Sequence, residues 1–273
     1  MIPTSDQTAP RTTAECTHSY ARLGARTVTI ATPHLVSGPI CRPTMNLLFS
    51  LNGRPFSLHI NSQQVLHTTA ALVMPGQLRA VTARDCALLS ISVEPGHALF
   101  QTLQQATQGQ SMQVLKLQPR SEAFEQLGRC YNDTAQTPVT NALLIDILAQ
   151  SGLATAQRVP TRPRATTLLQ AVDAKLPERT GAADLASQLG LSTSRLSHVF
   201  VAEVGMPLRS YALWQRYRLA LKNLESGTGL SHIASESGFA DAAHMTNTFM
   251  KYLGFPPSEV AKRCRISFRT AAS

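Results

Sequence analysis

Residues 185–207 and 233–256 are two copies of one pattern, and this repeat restricts the C-terminal part more than any other feature of the 273-residue chain. Leu185-Ala186 corresponds to Ile233-Ala234, and Gly190 to Gly238, at an offset of 48. Leu196, Phe200, Gly205 and Pro207 then correspond to Met245, Phe249, Gly254 and Pro256 at an offset of 49, so one residue is inserted after the glycine. The spacing predicts two helices joined by a tight turn. The small Ala lets the second helix approach, the glycine ends the first helix in the left-handed conformation, and Leu191 or Phe239 folds back over the helix end. Ser192 and Asp241 are placed to cap the next helix, and Leu196 with Phe200, like Met245 with Phe249, share one buried face.

Between the copies, Leu213, Tyr217, Ala220 and Leu224 recur at spacings of four and three, which predicts an amphipathic helix from about Leu208 to Leu224. At about 1.5 Å per residue it is roughly 25 Å long. Two helix-turn-helix units joined in this way can present their second helices to successive major grooves, about 34 Å apart along a duplex.

The segment from about Ala182 to Arg263 resembles the AraC/XylS family of bacterial transcription regulators. The residues that carry the likeness are Leu185-Ala186, Gly190-Leu191-Ser192, Leu196-Ser197, Phe200, Gly205, Tyr211, Arg216, Ala220 and Leu224, followed by Ile233-Ala234, Gly238-Phe239, Phe249, Lys251, Gly254 and Pro257-Ser258. The resemblance implies seven helices in two subdomains, double-stranded promoter DNA as partner, and activation through contact with RNA polymerase. Position by position, it implies DNA-facing residues Ser194, Arg195, Ser197 and His198 in the first unit. In the second unit it implies Ala242, Ala243, His244, Thr246 and Asn247, with Lys251 nearer the phosphates. Their chemistry differs: Arg195 suits guanine, Asn247 adenine, the hydroxyls base edges or phosphates, and the alanines only apolar contact with a thymine methyl. Where the family often carries Arg or Lys, this chain has His198, Asn247 and Met250, so the second unit is expected to bind less tightly or to serve the polymerase more than the DNA.

The N-terminal part reads differently. Short apolar runs at Val28 to Ile30, Met45 to Leu51, Phe56 to Ile60, Ala71 to Met74 and Leu88 to Val93 are broken by Asn52-Gly53 and Pro75-Gly76, which predicts strands closing into a small barrel or sandwich. Helical spacing follows at Leu99 and Leu103, at Phe124 and Leu127, and from Leu143 to Leu148. This part resembles, less specifically, the cupin-like effector-binding and dimerisation domain that many AraC/XylS members carry. The expected α+β organisation is therefore a cupin-like barrel with packed helices over 20–153, a Pro- and Arg-containing linker over 154–167, and an all-α DNA-binding domain over 168–265. Each domain is expected to bury its own core.

Charge and chemistry narrow the function. Residues 160–273 hold 14 Lys and Arg against 8 Asp and Glu, a net of +6, whereas residues 1–159 hold 11 against 8, a net of +3. That bias favours a polyanionic partner without specifying one. A cupin-type metalloenzyme fused to a DNA-binding tail is the alternative, but His59 and His67 stand eight apart without the H-x-H and Glu company a metal needs. Nucleophile-elbow and phosphate-loop motifs are missing too. The expectation is a regulator with no catalytic residues, no metal and no cofactor, gated by a small-molecule effector or controlled without a ligand, and able to form a homodimer. The five scattered cysteines and the lack of a spanning or signal segment point to the cytoplasm, away from a membrane.

Overall fold

The computed structural model of the chain describes residues 19–61, 64–116, 122, 125–128, 140–151, 153, 162–177 and 181–268. Eleven strands precede, flank and follow the helices: β1 Ser19–Leu23, β2 Thr27–Thr32, β3 Leu35–Val36, β4 Met45–Ser50, β5 Phe56–Ile60, β6 Gln64–Thr68, β7 Ala70–Val73, β8 Arg79–Ala83, β9 Leu88–Val93, β10 Met112–Val114 and β11 Cys264–Phe268. The described helices are α1 Phe100–Ala106, α2 Asn141–Gln150, α3 Pro163–Asp173, α4 Ala182–Gln188, α5 Thr193–Val204, α6 Leu208–Asn223, α7 Leu230–Glu236, α8 Ala242–Leu253 and α9 Pro257–Arg263. The last seven are the C-terminal bundle.

The strands form two sheets rather than a closed barrel, one in the order β10-β7-β4-β9-β2-β1-β11 and one in the order β3-β8-β5-β6. All the named pairings are antiparallel except β1 with β11, which is parallel. Every residue of β4, β7 and β9 is buried. Their period of two divides them between two covers. Leu48, Ala71, Val73 and Leu88 face the small sheet with Phe56, Leu58 and Val81. Leu47, Phe49, Leu72, Leu89 and Ile91 face helices instead, in one cluster that runs through Leu103, Leu144 and Leu168 to Leu196, Phe200 and Tyr211.

The expectation of two separate cores is therefore corrected. The cluster on the large sheet continues into α3, α5 and α6, and a second cluster joins Ala21, Leu23 and Val28 to Trp214, Tyr217, Phe249 and Tyr252. Within the stretch expected as linker, 154–167, α3 begins at Pro163, where a proline at the first helical position loses no hydrogen bond, and 154–161 lies outside the described residues. At the other end, Cys264–Phe268 runs past the expected boundary at 265 and pairs with β1, Ser19 opposite Cys264 through Leu23 opposite Phe268.

Polar ties reinforce this union. The Glu94 carboxylate is fully buried and accepts from Arg218 Nη1 at 2.9 Å and Gln215 Nε2 at 3.0 Å, both on α6. Arg218 also donates to the Gly24 and Ala25 carbonyls of the β1–β2 turn. One residue on, Arg26 pairs with Asp173 of α3 at 2.7 Å and donates to the Tyr211 hydroxyl, which in turn donates to Asp173 at 2.8 Å. Burial and the neighbouring Asp173 raise the Tyr211 phenol well above its ordinary pKa, so it stays a neutral donor. Removing one partner of a buried pair strands the other charge. Arg218→Ala is expected to cost about 3–5 kcal/mol, measured by urea denaturation of the full chain, whereas the exposed Arg263–Glu259 pair on α9 should contribute below about 1 kcal/mol.

Candidate nucleic-acid interface

The two copies of the repeat fold into α4–α5 and α7–α8 with closely matching turns. In each, the residue after the glycine donates back to the helix, Leu191 N–H to the Ala186 carbonyl and Phe239 N–H to the Ala234 carbonyl, both at 2.9 Å. The glycines close the shorter bond, Gly190 to Ser187 at 3.1 Å and Gly238 to Ser235 at 3.0 Å. This pair of bonds is the Schellman termination, with φ at +64° for Gly190 and +76° for Gly238. The next helix is capped as the side chains predict: Ser192 Oγ accepts from Arg195 N–H at 3.2 Å, and Asp241 Oδ1 from His244 N–H at 2.7 Å. Both second helices end at a left-handed glycine, Gly205 and Gly254.

The helical period then sorts each second helix into two faces. Leu196, Val199 and Phe200 of α5, and Met245, Thr248 and Phe249 of α8, are buried. Ser194, Arg195, Ser197 and His198 are exposed together on α5, and Ala243, His244 and Asn247 are exposed on α8. Ala242 and Thr246 are only half-exposed, and Ala242 packs against the aromatic core cluster. Several of the polar groups already have local partners. Ser197 Oγ donates to the Thr193 carbonyl at 3.0 Å, Thr246 Oγ1 donates to the Ala242 carbonyl at 2.8 Å, and the His244 ring meets Phe239 edge-on at 5.3 Å. Lys251 is exposed near the end of α8 with its Nζ 5.8 Å from the Tyr252 ring centre.

Helix α6 holds the units together. It spans 16 residues, within one residue of the expected end. Its Trp214 and Tyr217 meet Tyr252 and Phe249 of α8 edge-to-face, with ring centres 4.9–5.4 Å apart. Full burial pushes the Tyr217 hydroxyl up to about 12. The last turn of α8 also borrows donors from the β-rich half: Cys41 N–H reaches the Lys251 carbonyl at 2.8 Å, and Arg42 Nε the Tyr252 carbonyl at 2.5 Å. Carbonyls in the last turn have no partner within the helix, so these bonds tie α8 to the sheet.

Residues 185–263 match the family described as "Helix-turn-helix domain". The C-terminal segment 185–263 thus carries a helix-turn-helix domain. An apo form of ToxT from Vibrio cholerae carrying an alanine substitution is similar along both halves, with a TM-score of 0.59, 11% identity, and coverage of 90% of this chain and 96% of ToxT. Wild-type ToxT bound to an unsaturated fatty acid matches with a TM-score of 0.55, 13% identity, and coverage of 90% and 94%. At this identity the likeness is one of fold, an α+β arrangement with a cupin-like N-terminal half. No curated protein sequence matches the chain.

The chain also contains a cavity of about 550 Å³ that sequence reasoning missed. Its walls come from both halves, with Ile30, Leu48 and Val81 on the sheets facing Leu221, Phe255 and Val260 on the bundle. The buried Arg42 and Arg79 line it. Arg79 alternates with Val81 and Ala83 along β8, and that period of two was the available sign that it points inward. His59 and His67, by contrast, are exposed strand residues on β5 and β6, with His67 Nδ1 3.1 Å from Ser57 Oγ. Among the described residues no helix is long and apolar enough to cross a membrane. Cys41, Cys86 and Cys264 form no disulfide among the described residues, with burial pushing Cys264 up to about 12, while Cys16 and Cys130 lie outside the described residues.

The two turn glycines should differ in tolerance. A Cβ on Gly190 meets open space, so Gly190→Ala is expected to cost only the left-handed backbone, about 1–2 kcal/mol. A Cβ on Gly238 would lie 2.1 Å from the Pro177 carbonyl oxygen, so Gly238→Ala should cost clearly more in thermal unfolding and disorder the second unit first.

Proposed function

We propose that the protein activates transcription by reading two successive major grooves of promoter DNA with α5 and α8, under the control of a small molecule held by its β-rich half. The observation that carries this reading is the sorting of α5 and α8. Each buries the residues that hold it to the bundle, while Ser194, Arg195, Ser197 and His198 of α5 and Ala243, His244 and Asn247 of α8 are exposed, over a stretch of strongly basic composition. In the first unit Arg195 is the base reader, with Ser194, Ser197 and His198 beside it. In the second, Asn247 and His244 carry the hydrogen-bonding chemistry, Ala242, Ala243 and Thr246 fill the groove, and Lys251 approaches the phosphates. The alanines make the second contact weaker, which suits a unit that also meets RNA polymerase.

The small-molecule gate is supported by the position of the cavity, whose walls belong to both halves. A ligand that binds there touches the sheets and α9 together, so it shifts their relative placement by its differential affinity for the two arrangements. In this reading the protein works in the cytoplasm, and the β-rich half also pairs two copies.

Selection of duplexes from a random library with the full chain, followed by fluorescence anisotropy, tests the DNA reading. The expected site has two clusters of specified bases 10–10.5 bp apart, centre to centre, and is bound at least about 10³ times more tightly than scrambled duplex. Arg195→Ala should weaken it by about 1–3 kcal/mol and relax the first cluster alone, whereas Asn247→Ala should relax the second. A selected site with a single cluster would remove the two-groove reading, and equal loss on scrambled duplex would make Arg195 a phosphate contact.

A further inference from the structure

Val201 on α5 is 47% exposed and Met250 on α8 is 43% exposed. Among the described residues from Pro163 to Arg263, they are the large apolar side chains that stand this open. A single exposed apolar residue is ordinary on a protein surface, but these two occupy one position of the repeat. They are separated by the offset of 49 that also relates Leu196 to Met245 and Phe200 to Phe249. Around them the exposed positions differ in chemistry between the copies, with Arg195 against His244, His198 against Asn247 and Ala202 against Lys251. A large apolar side chain is common to both copies here.

Their place on the helix is shared as well. Seven residues of α-helix turn about 700°, which brings Val201 to within about 20° of Ser194, and Met250 to within about 20° of Ala243, roughly 10 Å further along the axis. They complete rows of exposed residues, Ser194, Ser197, His198 and Val201 on α5 and Ala243, Asn247 and Met250 on α8. Positions i, i+3, i+4 and i+7 are those with which one helix reads along a major groove.

We infer that Val201 and Met250 are thymine readers, each seating its apolar end on the C5-methyl group of one thymine in its own half of the DNA site. The inference deepens the groove reading proposed above and rests on it. Base edges in the major groove present hydrogen-bonding atoms and one apolar group, the thymine methyl. A side chain without a strong donor or acceptor gains in that groove where such a methyl stands. Duplex DNA is the favoured occupant because both side chains continue the rows that include His198 and Asn247, in a segment, 160–273, with a net charge of +6.

The selected duplex should be rebuilt with deoxyuridine in place of each thymidine in turn, which removes the methyl group alone, and titrated by fluorescence anisotropy with full-length wild type, Val201→Ala and Met250→Ala. Two thymines are expected to matter, one in each cluster and about 10–10.5 bp apart like the clusters themselves. Each should lose about fourfold in affinity without its methyl group, the worth of one such group withdrawn from water. The penalty in the first cluster should vanish in Val201→Ala, and that in the second in Met250→Ala. The scan with wild type needs no variant, so it decides even where a substitution disturbs the fold. A two-cluster site bound equally with and without its methyl groups overturns this inference alone, and so does a penalty that persists in both variants. Variants that bind every duplex as wild type does also overturn it and leave the two side chains to a protein partner. Selection that yields no two-cluster site overturns the groove reading and this inference with it.

Discussion

Three strands, β4, β7 and β9, are buried on both faces, and the rest of the molecule is arranged around that requirement. A sheet whose two faces are both apolar needs two covers. The four-stranded sheet supplies one. The described helices α1 and α2 supply part of the other, and α3, α5 and α6 of the C-terminal bundle complete it. Each fully buried large apolar side chain contributes about 1.5–3 kcal/mol relative to exposure, so separating the halves would uncover Phe200, Leu196 and Leu168 together with the sheet residues they meet. The two halves therefore share one fold.

Polar groups then set the angle at which the halves meet. Glu94 is held by Arg218 and Gln215, and Arg26 is held by Asp173 and Tyr211. Both sets lead to α6, the helix that joins the α4–α5 and α7–α8 units. Arg42 sits at a second junction, where one guanidinium caps the last turn of α8 through Nε and faces the inter-sheet acceptors through Nη1. The strand Cys264–Phe268 adds a third tie by pairing with β1. These ties leave Arg195 and His198 of α5 and His244 and Asn247 of α8 exposed.

Legibility in the sequence followed the range of the interactions concerned. The Schellman turns at Gly190 and Gly238, the caps at Ser192 and Asp241, and the extent of α6 depend on groups within a few residues of one another, and their residue types announce them. The apolar runs at β4, β5 and β9 were legible for the same reason. Strands β6 and β8 were not, because Gln64-Val65-Leu66-His67-Thr68 and Arg79-Ala80-Val81-Thr82-Ala83 are too polar to stand out until a neighbouring strand supplies their partners. Strand β11 was read as the end of the bundle, and its five residues acquire strand conformation beside β1, more than 240 positions earlier in the chain.

By itself, then, the sequence determined the repeated helix-turn-helix pattern, its turns, its caps and most of the positions its second helices expose, since helical periodicity and capping are local properties of neighbouring side chains. Only the tertiary structure decided that the barrel stays open as two sheets, that the bundle completes the core of the β-rich half, and that Arg42 and Arg79 meet beside a cavity. Those outcomes depend on which buried face finds which cover and which charge is left with neutral company, and contacts across 30 to 200 residues leave no periodic trace in the chain.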